Sequence, residues 1–420
     1  MTATWLDLPA DDPFGIATLP YGVVLTGGQP QPAVRIGGFA LLLRPATAAL
    51  LPEHAQLFAG SNLDAFLAAG PSSWLDVRTA ITGWLADGAH REQLEPLLVP
   101  LAGLPTVLPF TVADYVDFYA SENHALNASR VFRPDSSSLL PNWKHLPVGY
   151  HGRAGTVVVS GTDVRRPQGQ RQAGDGVEFG PSQRLDMEAE VGFVVGAGSS
   201  HGQPVPIGDF ARHVFGVVLL NDWSARDIQA WEYVPLGPFL GKSFATSISA
   251  WITPLAALEA ARVPAVPRDP APLPYLDDTG DSWNLDLSIE VRLNGELIAR
   301  PPFATMYWTG AQMMAHLTVN GASLRPGDLY GSGTVSGPEP DQLGSLLELS
   351  WGGSRPFPLS DGSQHGYLAD GDEVVMTASA PGPDGARIGI AEVRGRITAA
   401  LDGSAPDGSA PDGSAPDGSD

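Results

Sequence analysis

The residues of this chain that could do chemistry gather in three short stretches. In Arg184-Leu-Asp-Met-Glu188-Ala-Glu190-Val-Gly-Phe-Val-Val195 the alternation of residue types reads as a strand, on which side chains two apart share a face. Glu188 and Glu190 then project together, while Met187, Ala189, Val191 and Phe193 project oppositely. Two carboxylates side by side in an apolar run repel each other and need a cation, unless that face is simply solvated. The second stretch, residues 214–222, is an apolar strand ending on Asp222. Ser224 and Asp227 follow as an N-cap and a first-turn acid that start a short helix, with Arg226, Gln229 and Tyr233 on one face. The third stretch, residues 114–127, sets Asp117, Tyr119, Glu122 and His124 close together. An imidazole near acids suits acid–base work at neutral pH, although a lone histidine is more often structural.

Other suggestive patterns carry less. Gly237-Pro-Phe-Leu-Gly241-Lys242-Ser243 is one residue short of a phosphate-binding loop, follows no strand and runs into no helix. The run Gly331-Ser-Gly-Thr334-Val-Ser-Gly337 lacks the spacing of a dinucleotide fingerprint and reads as a turn offering backbone N–H groups to a carboxylate. Asp87, His90 and Glu92 bring acids near a histidine, but in a polar run that reads as a solvated turn.

Length and composition bound the elements that must position these groups. A chain of 420 residues has room for two domains. Its 49 Gly and 39 Pro exceed what a helical bundle tolerates, so the architecture is expected to be mainly β with some α. Strands are expected at residues 22–25 and 33–43, and helices near 62–69 and 74–86. A Pro-punctuated stretch at 94–109 then divides a supporting domain, 1–105, from a chemical domain, 106–401. From Asp402 an Asp-Gly-Ser-Ala-Pro repeat offers nothing to bury and reads as a disordered acidic tail, 402–420. The absence of Cys excludes disulfides and thiolate chemistry. A net charge of −22 argues against nucleic acid and against a basic membrane-binding face. Residues 39–51 are apolar but too short to span a bilayer and are interrupted by Arg44 and Pro45. No signal peptide is legible, so a cytoplasmic protein is expected.

Longer blocks extend the local motifs. Asp117-Phe-Tyr119 with His124-Ala-Leu-Asn127, Leu140-Pro-Asn-Trp143, His145-Leu-Pro-Val-Gly-Tyr150-His-Gly-Arg153, Asn221-Asp222-Trp-Ser-Ala-Arg226-Asp-Ile-Gln229 and Leu347-Glu348-Leu-Ser-Trp351 occur in order. Together with the Glu188/Glu190 strand they resemble the fumarylacetoacetase family. The resemblance implies a small N-terminal SH3-like β-barrel, a C-terminal mixed β-sheet roll and a homodimer. It implies hydrolysis of a carbon–carbon bond in a β-diketo acid, fumarylacetoacetate giving fumarate and acetoacetate. It implies Ca²⁺ among Asp117, Glu188, Glu190 and Asp222, with a Mg²⁺ site recruiting the neighbourhoods of Lys242 and Thr246. His124 matches the general base, oriented by Glu348, and Arg226, Gln229 and Lys242 match groups that stabilise an oxyanion. Tyr119, Arg133, Tyr150, Tyr233 and Thr334 match substrate contacts. Without the resemblance, Glu348 reads as one polar residue on a strand over 345–351. The rival functions are relatives acting on acylpyruvates or oxaloacetate, or as dienoate isomerases, and, from another class, a non-catalytic metal-dependent binding module.

Overall fold

The computed structural model describes residues 4–9, 11–133 and 138–401, and the expected tail lies outside them. The chain is mainly β with short helices, built on one large mixed sheet. Along it run Leu98–Pro100, Phe39–Leu42, Gln29–Ile36, Tyr21–Thr26, Trp251–Pro254, Val214–Asp222, Ala189–Val195, Asp328–Gly331, Asp114–Phe118 and Gly149–His151. Most neighbours are antiparallel, but Asp328–Gly331 pairs with Asp114–Phe118 in parallel. A separate five-stranded sheet includes Ser288–Leu293, Glu373–Pro381 and Arg387–Thr398. The strands of residues 1–105 run on into the large sheet where Tyr21 pairs with Ile252.

The central strands are buried on both faces, which is why they read as unbroken apolar runs. Val217 and Leu219 pack into one core with Val191 and Phe193, while Phe215, Val218 and Leu220 enter a second core with the N-terminal helices and strands. Among the described residues no helix is long and apolar enough to cross a membrane.

Several local expectations are corrected. Residues 33–43 are not one strand: Gln29–Ile36 and Phe39–Leu42 turn about Gly37, at φ +55. The helix Leu43–Leu50 then follows. Pro45 does not break it, because first-turn N–H groups have no intrahelical acceptor to lose. Ser224 is not a helix cap but pairs, with Ala225, against Leu185–Asp186. The helix itself spans Arg226–Glu232. Residues 345–351 are not a strand either: Ser345 accepts a bond from the Glu348 N–H and caps the short helix Leu346–Leu349.

Gly216 pairs with Pro254 on the neighbouring strand Trp251–Pro254, and a Cβ placed there would lie 2.4 Å from the Thr253 carbonyl oxygen. Gly216→Ala should destabilise the fold by about 1–3 kcal/mol, read as a lower melting temperature. An unchanged melt would show that the seam between the two cores is looser than described.

Candidate active site

The acids meet because their strands are neighbours. Asp117 pairs with Gly331 on one side and Tyr150 on the other, Glu190 lies on Ala189–Val195, and Asp222 pairs with Thr246. Buried carboxylate oxygens of Asp117, Glu190 and Asp222 all lie within 4.8 Å of one another. Their approach requires Gly331, where a Cβ would stand 2.7 Å from Glu190 Oε2 and 3.0 Å from Asp117 Oδ1. The Gly-rich turn also supplies an amide: the Gly333 N–H donates to Glu190 Oε2 at 3.0 Å.

The electrostatics of the cluster favour a cation. Burial, and after it the charge of Asp222, pushes Asp117 well above the usual carboxylate range. Burial and then Asp117 do the same to Glu190. Burial also raises Asp222, although Lys242 pulls it back. Asp117 Oδ1, Glu190 Oε1 and the Tyr115 hydroxyl are buried with no hydrogen-bond partner. Orphaned oxygens with no nitrogen or sulfur among them suit a hard metal ion.

Two cations of the chain stand beside the cluster. Glu188 accepts from Arg226 Nη2 at 2.7 Å and pairs with the Lys242 ammonium, which pairs with Asp222 as well. Burial works against the Glu188 charge, but Arg226 and Lys242 outweigh it and hold the carboxyl below its ordinary range. Burial likewise opposes the Lys242 charge, and Asp222 and Glu188 overcome it. The loop carrying Lys242 is pinned to the helix Arg226–Glu232, since the Gly241 N–H donates to Glu232 Oε1 at 2.7 Å. Tyr150 OH donates to Asp222 Oδ2 at 3.2 Å, and Thr246 Oγ1 lies 3.4 Å from Asp222 Oδ1. Tyr150, Asp222, Lys242 and Thr246 share a cavity of about 130 Å³.

The histidine reaches the same place from a helix. Ser121 caps Glu122–Phe132 by accepting from the His124 N–H at 3.2 Å, which puts His124 and Asn127 on one face. His124 Nδ1 lies 2.7 Å from Glu348 Oε2, and Nε2 lies 3.9 Å from Glu188 Oε1. Glu348 also accepts from Asn127 Nδ2 and from the Ser336 and Ser345 hydroxyls, each at 2.9 Å. Burial alone would raise Glu348, yet His124 and these donors keep it below its usual range. A carboxylate at Nδ1 favours the proton there and leaves Nε2 as the acceptor, aimed at the acids.

The remaining candidates lie further out. The Tyr119 ring is 5.3 Å from the His124 ring, and burial followed by the charge of Glu348 drives its phenol up. Gln229 Oε1 accepts from Arg226 Nη1 at 3.3 Å. Thr334 is buried next to Gly333. Arg133 is exposed at the end of its helix, bonded to Ser129 Oγ at 3.3 Å, and Tyr233 is 51% exposed. Among the described residues no side-chain bond ties Arg133 or Tyr233 to the acids. Asn127, Ser336, Ser345, Tyr115 and Asp186 join the site without having stood among the residues expected there. Asp186 shares the two-residue alternation of Glu188 and Glu190, so that signal was present.

Comparison with known proteins places the chain in a family. A family profile described as "Fumarylacetoacetase N-terminal" matches residues 17–109, and one described as "Fumarylacetoacetate (FAA) hydrolase C-terminal" matches 115–398. The human fumarylacetoacetase is 43% identical over 95% of this chain and 99% of its own length. The Arabidopsis thaliana fumarylacetoacetase is 43% identical over 94% of this chain and 98% of its own. In fold, a fumarylacetoacetate hydrolase from Exiguobacterium antarcticum superposes with a TM-score of 0.53 at 16% identity, covering 91% of this chain and 99% of that one. With both profiles matched in order across nearly the whole chain, this protein belongs to the fumarylacetoacetase family.

Proposed function

We propose that this chain hydrolyses 4-fumarylacetoacetate to fumarate and acetoacetate. The observation that carries the reading is the buried His124–Glu348 pair, 2.7 Å long, with its second imidazole nitrogen facing the acids. Water bound beside His124 gives its proton to Nε2, and the imidazolium that forms is stabilised by Glu348. The oxygen of that water attacks the ketone carbon next to the alkene. Arg226, Gln229 and Lys242 supply donors for the oxyanion that develops there. As the carbonyl re-forms, the bond to the neighbouring CH₂ breaks, and that carbon takes a proton from Lys242, which Asp222 and Glu188 keep charged.

Asp117, Glu190 and Asp222, with Glu188 beside them, are the residues that would hold a divalent ion, Ca²⁺ or Mg²⁺ by the all-oxygen chemistry. Such an ion supplies Lewis-acid polarisation of the diketo oxygens when bound. A protonated amine has no lone pair to give, so Lys242 is assigned as counter-charge and donor, and Thr246 as the candidate ligand for a second ion. Tyr119, Arg133, Tyr150, Tyr233 and Thr334 are assigned to substrate. Residues 1–105 support the chemical part, 106–401. The protein is assigned to the cytoplasm as a homodimer. Its exposed apolar run is consistent with a face covered in a dimer: Val234, Leu236 and Phe239 are 65%, 95% and 63% exposed.

His124→Ala should lower kcat by roughly 100-fold to 10,000-fold while metal content stays near wild type, because base and candidate ligands are different residues, and the melting temperature should fall as buried Glu348 loses its partner. Wild-type kcat in that variant would make His124 structural. The reaction itself is tested by offering fumarylacetoacetate, an acylpyruvate and oxaloacetate to the purified protein with Ca²⁺ or Mg²⁺. Fumarylacetoacetate should be consumed fastest, giving fumarate and acetoacetate in equal amounts, because only a long diketo acid reaches both Arg133 and the Arg226–Lys242 donors. Equal or faster turnover of acylpyruvate would overturn the named reaction, and no turnover of any of them would favour a binding module.

A further inference from the structure

We infer that Asp186 is a positioning residue that clamps the Arg226 guanidinium to the short helix carrying Glu348. The proposal rests on the function proposed above. Asp186 is fully buried and both of its carboxylate oxygens are taken up by protein donors, so it has no direct part in the chemistry. What it does have is an unusual set of partners. Its Oδ2 accepts from Arg226 Nε at 2.9 Å and from the Leu347 N–H at 3.0 Å, and lies 2.8 Å from Arg226 Nη2. Its Oδ1 accepts from the N–H groups of Leu346 and Met187, both at 2.8 Å.

One carboxylate thus joins three segments far apart in sequence. Arg226 opens the helix Arg226–Glu232 and also holds Glu188 and Gln229. Leu346 and Leu347 begin the turn that sets Glu348 against His124. Leu185–Asp186 itself is fixed by pairing with Ser224–Ala225, and the Arg226 N–H donates to the Arg184 carbonyl at 2.9 Å. The water-activating pair and the oxyanion donor therefore share one anchor. A shift of either by about 1 Å relative to the other misaligns attack and stabilisation, which costs roughly 100-fold in rate.

A same-shape substitution isolates the clamp. In Asp186→Asn one oxygen can still serve the Met187 and Leu346 N–H groups, while the amide NH₂ meets Arg226 Nε and the Leu347 N–H as donor against donor. The inference expects kcat for fumarylacetoacetate to fall roughly 100-fold with KM changed less than about threefold and metal content unchanged. It also expects the double variant Asp186→Asn/Arg226→Gln to stay within about fivefold of the slower single variant, as residues acting as a unit do. Asp186→Ser, which keeps an acceptor for the backbone, is the second variant should the first fold poorly. Wild-type kcat in the folded variants, fully multiplicative losses in the double variant, or loss of fold in both Asn and Ser variants would each overturn the inference. Wild-type protein inactive on fumarylacetoacetate would instead overturn the proposed function, and the inference with it.

Discussion

The cost of burying Asp117, Glu188, Glu190 and Asp222 within one another's reach is the constraint on which the rest of the site depends. Unpaired buried carboxylates are expelled or protonated unless positive charge is brought to them. The chain brings two cations: Arg226 is engaged by Asp186 and Glu188, and Lys242 by Glu188 and Asp222. Asp117 and Glu190 keep oxygens with no partner, so the protein's own groups balance only one side of the cluster. The imbalance is what makes the site a candidate place for a metal ion.

The sheet makes that arrangement possible. Asp117, Glu190 and Asp222 stand on strands whose flanks are sealed by two cores, and all three carboxylates are buried. Close approach of backbone and carboxylates depends on Gly331 and Gly333, the latter at φ +75 and with a Cβ position 2.3 Å from the Phe118 carbonyl oxygen. The His124–Glu348 pair is buried for the same reason, and its four donors let Glu348 remain ionised there. Rigid strands hold the acids, while a capped helix and a short turn hold the base.

Much of this was legible in the residues. Period-two alternation put Glu188 and Glu190 on one face, and the apolar run before Asp222 marked a buried strand. What escaped was long-range. Glu348 read as a strand residue because Leu-Leu-Glu-Leu is too short to show a helical period, and only the Ser345 cap and the Asp186 acceptors make it a turn. Ser224 looked like a cap because the sequence does not reveal its pairing with Leu185–Asp186. Asp186 had the alternation of its neighbours, but its meaning lies in partners 40 and 160 residues away, which no local pattern encodes.

The central claim, that the acids are under-compensated by the chain alone, is tested most directly by following the melting temperature of chelator-stripped protein as Ca²⁺ or Mg²⁺ is added at fixed ionic strength. A ligand that binds only the folded state stabilises it by about 2.7 kcal/mol at 100 times its dissociation constant. The account predicts a saturable rise of several degrees with either ion and a much smaller one in Glu190→Gln. A melting temperature indifferent to chelator, Ca²⁺ and Mg²⁺ alike would contradict it.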